Sequence, residues 1–185
     1  QMMEKVVLPP IKPRRTEEQI AKECPWATIG RPSSREPNIM TSLELKPEVM
    51  EEINIHLQEK YQLAKDTETR CEITDCDDAD YVIVAFGSAA RITEKSMELA
   101  RDRGIKAGLF RPITLWPFPE KELKKAVDGK KGILVAEINA GQMIQDVKLS
   151  VGSGIPTEHF GRLGGIVPDP EEIVNALKTK LIDNE

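Results

Sequence analysis

Three short apolar runs, residues 81–86, 105–110 and 132–138, are each followed within a few residues by a stretch with helical spacing, and this alternation restricts the fold more than any other feature. The run YVIVAF has no polar residue, which suits a strand covered on both faces. Gly87 breaks it, and a helix follows over 89–103, with Ile92, Ser96, Leu99 and Ala100 as a stripe narrow enough to pack closely on a sheet and Gly104 as its stop. Pro119 opens a short helix carrying Leu123 and Val127. Met143, Ile144, Val147 and Val151 mark another helical stripe, and 157–160 reads as a short late strand. The last helix has the clearest start: Asp169 can cap, Pro170 sits in the first turn, and Glu172 lies three residues beyond the cap. Its buried face is Ile173, Val174, Leu177 and Leu181. Right-handed crossovers between such strands require a mostly parallel sheet with helices on both faces, an α/β layer domain. If the segment CEIT pairs at an edge, the strands number five.

The first part of the chain is built differently. Seven of the 13 prolines fall in the first 47 residues, whereas 11 of the 12 glycines come at or after Gly87. Proline fixes φ and pushes its predecessor toward extended geometry, so residues 1–46 read as an extended arm. Val6, Val7, Leu8, Ile11, Trp26, Ile29, Ile39 and Met40 favour an arm ordered along another surface over a disordered one. From Pro47 a helix is expected to about Ala64, with acidic residues in its first turn and Met50, Ile53, Leu57 and Ala64 on one face. The organisation that follows is arm, linker and helix over 1–78 and the α/β domain over 79–185.

Composition narrows the function classes. With 26 Lys plus Arg against 31 Asp plus Glu the net charge is −5, and with eight aromatics and no basic patch a nucleic-acid binder is not expected. No run approaches the roughly 18 apolar residues of a membrane span, and QMMEKVVLPP lacks a secretory core, so a cytoplasmic protein is expected. An initial Gln suggests a piece cut from something longer. Cys24, Cys71 and Cys76 form no C-x-x-C pair and have only His56 and His159 to help them, which supports neither a disulfide framework nor a metal or iron–sulfur site.

Chemistry in open α/β sheets gathers at the carboxyl ends of strands, and three such loops stand out. At 87–91, Gly87 permits a sharp turn and Ser88 can cap the helix or meet an anion. Neither G-x-G-x-x-G nor G-x-x-x-x-G-K-[ST] is present, so a plain turn with a cap is preferred to a phosphate site. The stretch 111–119, RPITLWPFP, holds three prolines among large apolar side chains, so Leu115, Trp116 and Phe118 are either tucked under the domain or, as preferred, buried in a subunit contact. At 137–142, Asn139 is a helix cap with Glu137 paired to Arg111 or another base; a polar contact to a partner's ligand is the sharper alternative. His159 has no second histidine near it and reads as packing or solvent-facing. The segment FGRLGG either wraps an anion or is a flexible exit loop. No nucleophile, base and orienting acid form a recognisable set, so no catalytic residue is assigned.

The strings AFGSAARITEKSMELARDRGIKAGLFRPITLWPFP, VAEINAGQM and HFGRLGGIVPDPEEI resemble the carboxyl-terminal part of the α subunit of 2-oxoacid:ferredoxin oxidoreductases. Those in the arm, LPPIKPRR, CPWATIGRP and NIMTSLELKPEVMEEINIHLQEKYQ, look most like the branched-chain member, 2-ketoisovalerate ferredoxin reductase, with the 2-oxoglutarate enzyme the near rival. The resemblance implies a transketolase carboxyl-terminal-like domain, a three-layer α/β/α sandwich whose five-stranded mixed sheet has an antiparallel first strand. It implies a parent enzyme that decarboxylates a 2-oxoacid with thiamine diphosphate and magnesium, captures the acyl group on coenzyme A, and passes electrons through iron–sulfur clusters on partner subunits to ferredoxin. This chain has no G-D-G with paired asparagines and no cysteine set, and the family's activating glutamate would lie upstream of Gln1. It is therefore expected to bind no cofactor or metal itself and to act as a structural and subunit-docking module of an oligomeric enzyme. Matching strand-end loops points to Gly87, Ser88, Arg111, Glu137, Asn139 and Gln142 for contact with cofactor-bearing surfaces. The competing class is an independent small-ligand or coenzyme A-binding domain using the helix starts at Gly87 and Gly141.

Overall fold

The structure, a computed structural model, describes residues 10–12, 14–26, 39 and 41–183. Val6, Val7, Leu8, Ile29 and Met40 of the arm lie outside these residues. The chain divides into two units, Gln1–Leu57 and Gln58–Glu185.

In the first unit, the described part of the arm holds a short helix α1, Glu17–Glu23, started by a capping box in which the Thr16 hydroxyl accepts from the Gln19 amide and the Gln19 side chain accepts from the Thr16 amide. Ile11, Trp26 and Ile39 are exposed. Helix α2, Pro47–Thr67, starts at the expected proline, continues past Ala64, and crosses the division between units. None of its residues is buried, so the stripe expected to face a core has Ile53 at the surface.

The second unit carries the sheet: β1 Cys71–Thr74, β2 Tyr81–Ala85, β3 Ala107–Pro112, β4 Gly132–Glu137 and β5 Thr157–Gly161. Its order is β1-β3-β2-β4-β5, with β1 antiparallel to β3 and all other pairs parallel. The sheet thus recruits CEIT from ahead of residue 79. Helices α3 (Gly87–Asp102) and α6 (Pro170–Leu177) cover one face, and α4 (Glu120–Ala126) and α5 (Met143–Val151) cover the other, giving three layers. A π-helical turn, Lys178–Ile182, extends α6 and buries Leu181.

Side-chain alternation explains the two cores. Ile83, Ala85, Leu109 and Leu134 point toward α3 and α6, while Val82, Val84, Phe110, Ile133 and Val135 point toward α4 and α5. Every residue of β2 and β4 is buried, as unbroken apolar runs require in the centre of a parallel sheet. Ser96 and Thr93 enter the core because each hydroxyl bonds a carbonyl one turn back, Ile92 and Ala89, leaving little polar surface unsatisfied. The expected capping box of the last helix is present: the Asp169 carboxylate accepts from the Glu171 amide at 2.9 Å and Glu172 accepts from the Asp169 amide at 2.9 Å.

Candidate functional site

The connection β2–α3–β3 winds toward one edge of the sheet and β4–α5–β5 toward the other, so the winding reverses between β2 and β4. Beyond the carboxyl ends of such a pair the first turns of the two helices part and leave a crevice. Register places the sequence-selected loops there: Ala85 pairs with Ala136 and Glu137 with Gly161, so Gly87, Ser88, Glu137 and Asn139 flank the reversal.

Helix α3 starts at Gly87, two residues earlier than its apolar pattern indicates. Gly87 has φ of +55°, where a side chain would be strained, and Ser88 is exposed. No side chain caps α3, so Ser88 does not serve as the expected cap.

At the end of β4, Glu137 is 1% exposed. It does not pair with Arg111. Arg111 instead donates to Glu72 at 2.7 Å, because β1 and β3 place those two residues opposite one another. The Glu137 carboxylate lies beneath α5, where Oε1 accepts from the amides of Met143 (2.8 Å) and Gln142 (3.3 Å) and Oε2 accepts from Ile144 (3.2 Å). Asn139 closes the turn above, its Oδ1 accepting from the amides of Gly141 (2.7 Å) and Gln142 (3.1 Å). The capping expected of Asn139 is therefore shared with a buried acid. The Gln142 side chain is exposed.

Nothing in the local sequence indicates that His159 joins this group. Parallel pairing sets it opposite Val135, on the α5 face, with Nε2 3.6 Å from Glu137 Oε2 and buried without a hydrogen-bond partner. β5 approaches closely because residue 161 is glycine: a Cβ there would overlap the Asn139 carbonyl oxygen and the His159 ring. Among the described residues no three His, Cys, Asp or Glu side chains converge as metal ligands do, and no helix is long and apolar enough to cross a membrane.

The 111–119 segment divides between inside and outside. Pro112, Pro117 and Pro119 are buried, and Phe118 packs half-buried on the α4–α5 core. Leu115 and Trp116 stay at the surface, 44% and 58% exposed, with the Trp116 ring edge-on to Tyr61 at 5.5 Å. They border a groove with Gln62, Lys65 and Lys121 on its rim. A second exposed apolar group, Leu163, Ile166 and Val167, lies within and just after the FGRLGG segment that leaves β5, and it has no helical or strand period to reveal it. Cys71 and Cys76 are free thiols, and burial pushes Cys76 up to about 11.

Comparison with known proteins agrees with this architecture. Among curated proteins the chain is 35% identical over 172 residues to ketoisovalerate oxidoreductase subunit VorB of Methanothermobacter marburgensis, covering 90% of this chain and 48% of that one. It is 34% identical over 101 residues to 2-oxoglutarate synthase subunit KorA of the same organism, covering 55% and 27%. The chain spans about half the length of the ketoisovalerate subunits it matches. Among solved structures, 2-oxoglutarate:ferredoxin oxidoreductase from Magnetococcus marinus, determined with 2-oxoglutarate, coenzyme A and succinyl-CoA bound, shares the fold with a TM-score of 0.63 at 23% identity, over 74% of this chain and 24% of that one. A split-gene transketolase shares it with a TM-score of 0.51 at 17% identity, over 61% and 41%, so the transketolase-like layer fold read from the sequence is the fold found. The family described as pyruvate:ferredoxin oxidoreductase core domain II matches residues 79–173, more than half of the chain, and the chain belongs to that family.

Proposed function

We propose that this chain is the carboxyl-terminal structural and subunit-docking domain of a thiamine-diphosphate-dependent oxidoreductase that converts 2-oxoisovalerate, coenzyme A and oxidised ferredoxin to acyl-CoA, carbon dioxide and reduced ferredoxin. The observation that carries the branched-chain reading is coverage. It counts together with identity: a ketoisovalerate subunit matches 90% of the chain at 35% identity, whereas 2-oxoglutarate subunits match 55% at 34% or 80% at 29%, so the ketoisovalerate match keeps its identity over the longer span.

Docking is supported by the exposed Leu115 and Trp116, since an apolar group of this kind beside a polar rim is what protein interfaces bury. Phe118, half inside its own core, contributes shape more than contact. The described residues do not fit a magnesium–diphosphate site, which needs several converging oxygen donors: Glu137, the acid at the winding reversal, has both oxygens engaged by α5. The cofactor chemistry is accordingly assigned to other parts of the assembly, and the strand-end loops Gly87, Ser88, Asn139 and Gln142 to the side that meets them.

The test is co-expression of the full-length subunit with its partners, with Leu115→Ser and Trp116→Ala combined. Loss of an interface anchor is expected to weaken assembly by ~tenfold or more, read by analytical ultracentrifugation; assembly and turnover equal to wild type would count against docking. Comparing kcat/KM for 2-oxoisovalerate and 2-oxoglutarate on the wild type settles the substrate, and a preference for 2-oxoglutarate replaces the branched-chain reading with its rival.

A further inference from the structure

Glu137 is the one fully buried acidic side chain among the described residues. Burying a carboxylate is costly unless donors replace its water, and here three backbone amides do so. Those amides belong to the start of α5, where a helix ordinarily presents unsatisfied donors to an anion from outside. This helix start is filled from within by the protein's own anion. The amide of Gln142 is shared between Glu137 Oε1 below and Asn139 Oδ1 above, so the two side chains hold one peptide from opposite sides. Because Asn139 Oδ1 is occupied by two amides, its Nδ2 is the group left to donate elsewhere. Gly161 lets β5 press against the same turn.

We propose that Glu137 is a positioning residue: it touches no ligand, but fixes the first turn of α5 so that Asn139 Nδ2 and the Gln142 side chain are presented as donors to a hydrogen-bond-accepting group of a substrate at the carboxyl edge of the sheet. This rests on the reading that the strand-end loops face the cofactor-bearing side. A substrate carboxylate and the amide or phosphate groups of coenzyme A carry the same acceptor chemistry, and kinetics separate them.

The experiment uses the full-length subunit assembled with its partners. Glu137→Gln keeps the shape but turns an –NH2 group toward amides that need an acceptor; Asn139→Ala removes the upper acceptor without touching the core. Hydrogen–deuterium exchange across 139–147 is expected to quicken ~tenfold or more in Glu137→Gln, with β2 and β3 unchanged. KM for the 2-oxoacid or for coenzyme A, whichever meets the loop, is expected to rise ~3- to 10-fold with kcat within ~twofold. Asn139→Ala is expected to raise the same KM, and the double variant to be little worse than the worse single one, since both act on the Gln142 amide. Should Glu137→Gln not fold, Asn139→Ala carries the kinetic arm alone. Unchanged exchange, or faster exchange with both KM values at wild type, overturns the proposal. A wild-type assembly inactive on every 2-oxoacid sinks the functional reading instead, and exchange at 142–144 then judges the clamp.

Discussion

Asp75 takes φ of +51°, a left-handed conformation uncommon for a residue with a side chain, at the turn that leads from β1 toward β2. Arg101 holds that turn. Its Nη2 donates to the Asp75 carbonyl at 2.7 Å, its Nε to the Ala107 carbonyl at 2.7 Å, and its guanidinium forks onto the Asp78 carboxylate. The hydrogen bond from Arg101 holds the Asp78 carboxyl below the ordinary carboxylate range. A folded value below the unfolded one gives stability that is present above the unfolded value and lost as pH falls through the folded one. Asp78→Asn is therefore expected to lower the urea midpoint at pH 7 and to equal wild type once the pH is well below ~4. Arg101→Ala should keep part of its penalty in acid, because the carbonyls it serves do not titrate; equal midpoints at both pH values would contradict this. The same turn explains Gly108, whose added Cβ would lie 2.8 Å from the Asp75 oxygen and from the Cys76 Cα and Sγ. Gly108→Ala is expected to cost ~2 kcal/mol or more in urea unfolding.

Helices whose ends are set by their own residues were legible in detail. The Asp169, Pro170 and Glu172 pattern became the capping box of α6, and its four apolar residues Ile173, Val174, Leu177 and Leu181 are all buried. Asp169→Ala is expected to cost ~1 kcal/mol, a fall of ~3 °C in Tm by calorimetry. Helices started from elsewhere were not. The α5 cap comes in part from a strand residue beneath it, and α3 begins at Gly87 without a cap. For α2 the period announced a helix but carried no information on what covers its stripe, since periodicity is a property of one element and burial of two.

At the scale of the molecule, the chain skips from β3 over β2 to β4, and this jump creates the winding reversal on which the candidate site depends. It also sets the exposed Leu115 and Trp116 on the connection that makes the jump, so the docking variants alter a surface and leave both cores intact. By itself the sequence determined the succession of strands and helices from Pro47 onward, though not the short helix α1 inside the arm, together with the α/β class, the last helix cap and the peculiarity of RPITLWPFP, because each rests on residues one to four positions apart or on a run of one character. Tertiary structure alone decided that Arg111 meets Glu72, that Glu137 serves α5 with His159 beside it, and that Phe118 turns inward while Trp116 does not. The first two follow from strand order and register, which bring together residues such as Glu72 and Arg111, 39 positions apart, through backbone pairing that no local pattern encodes.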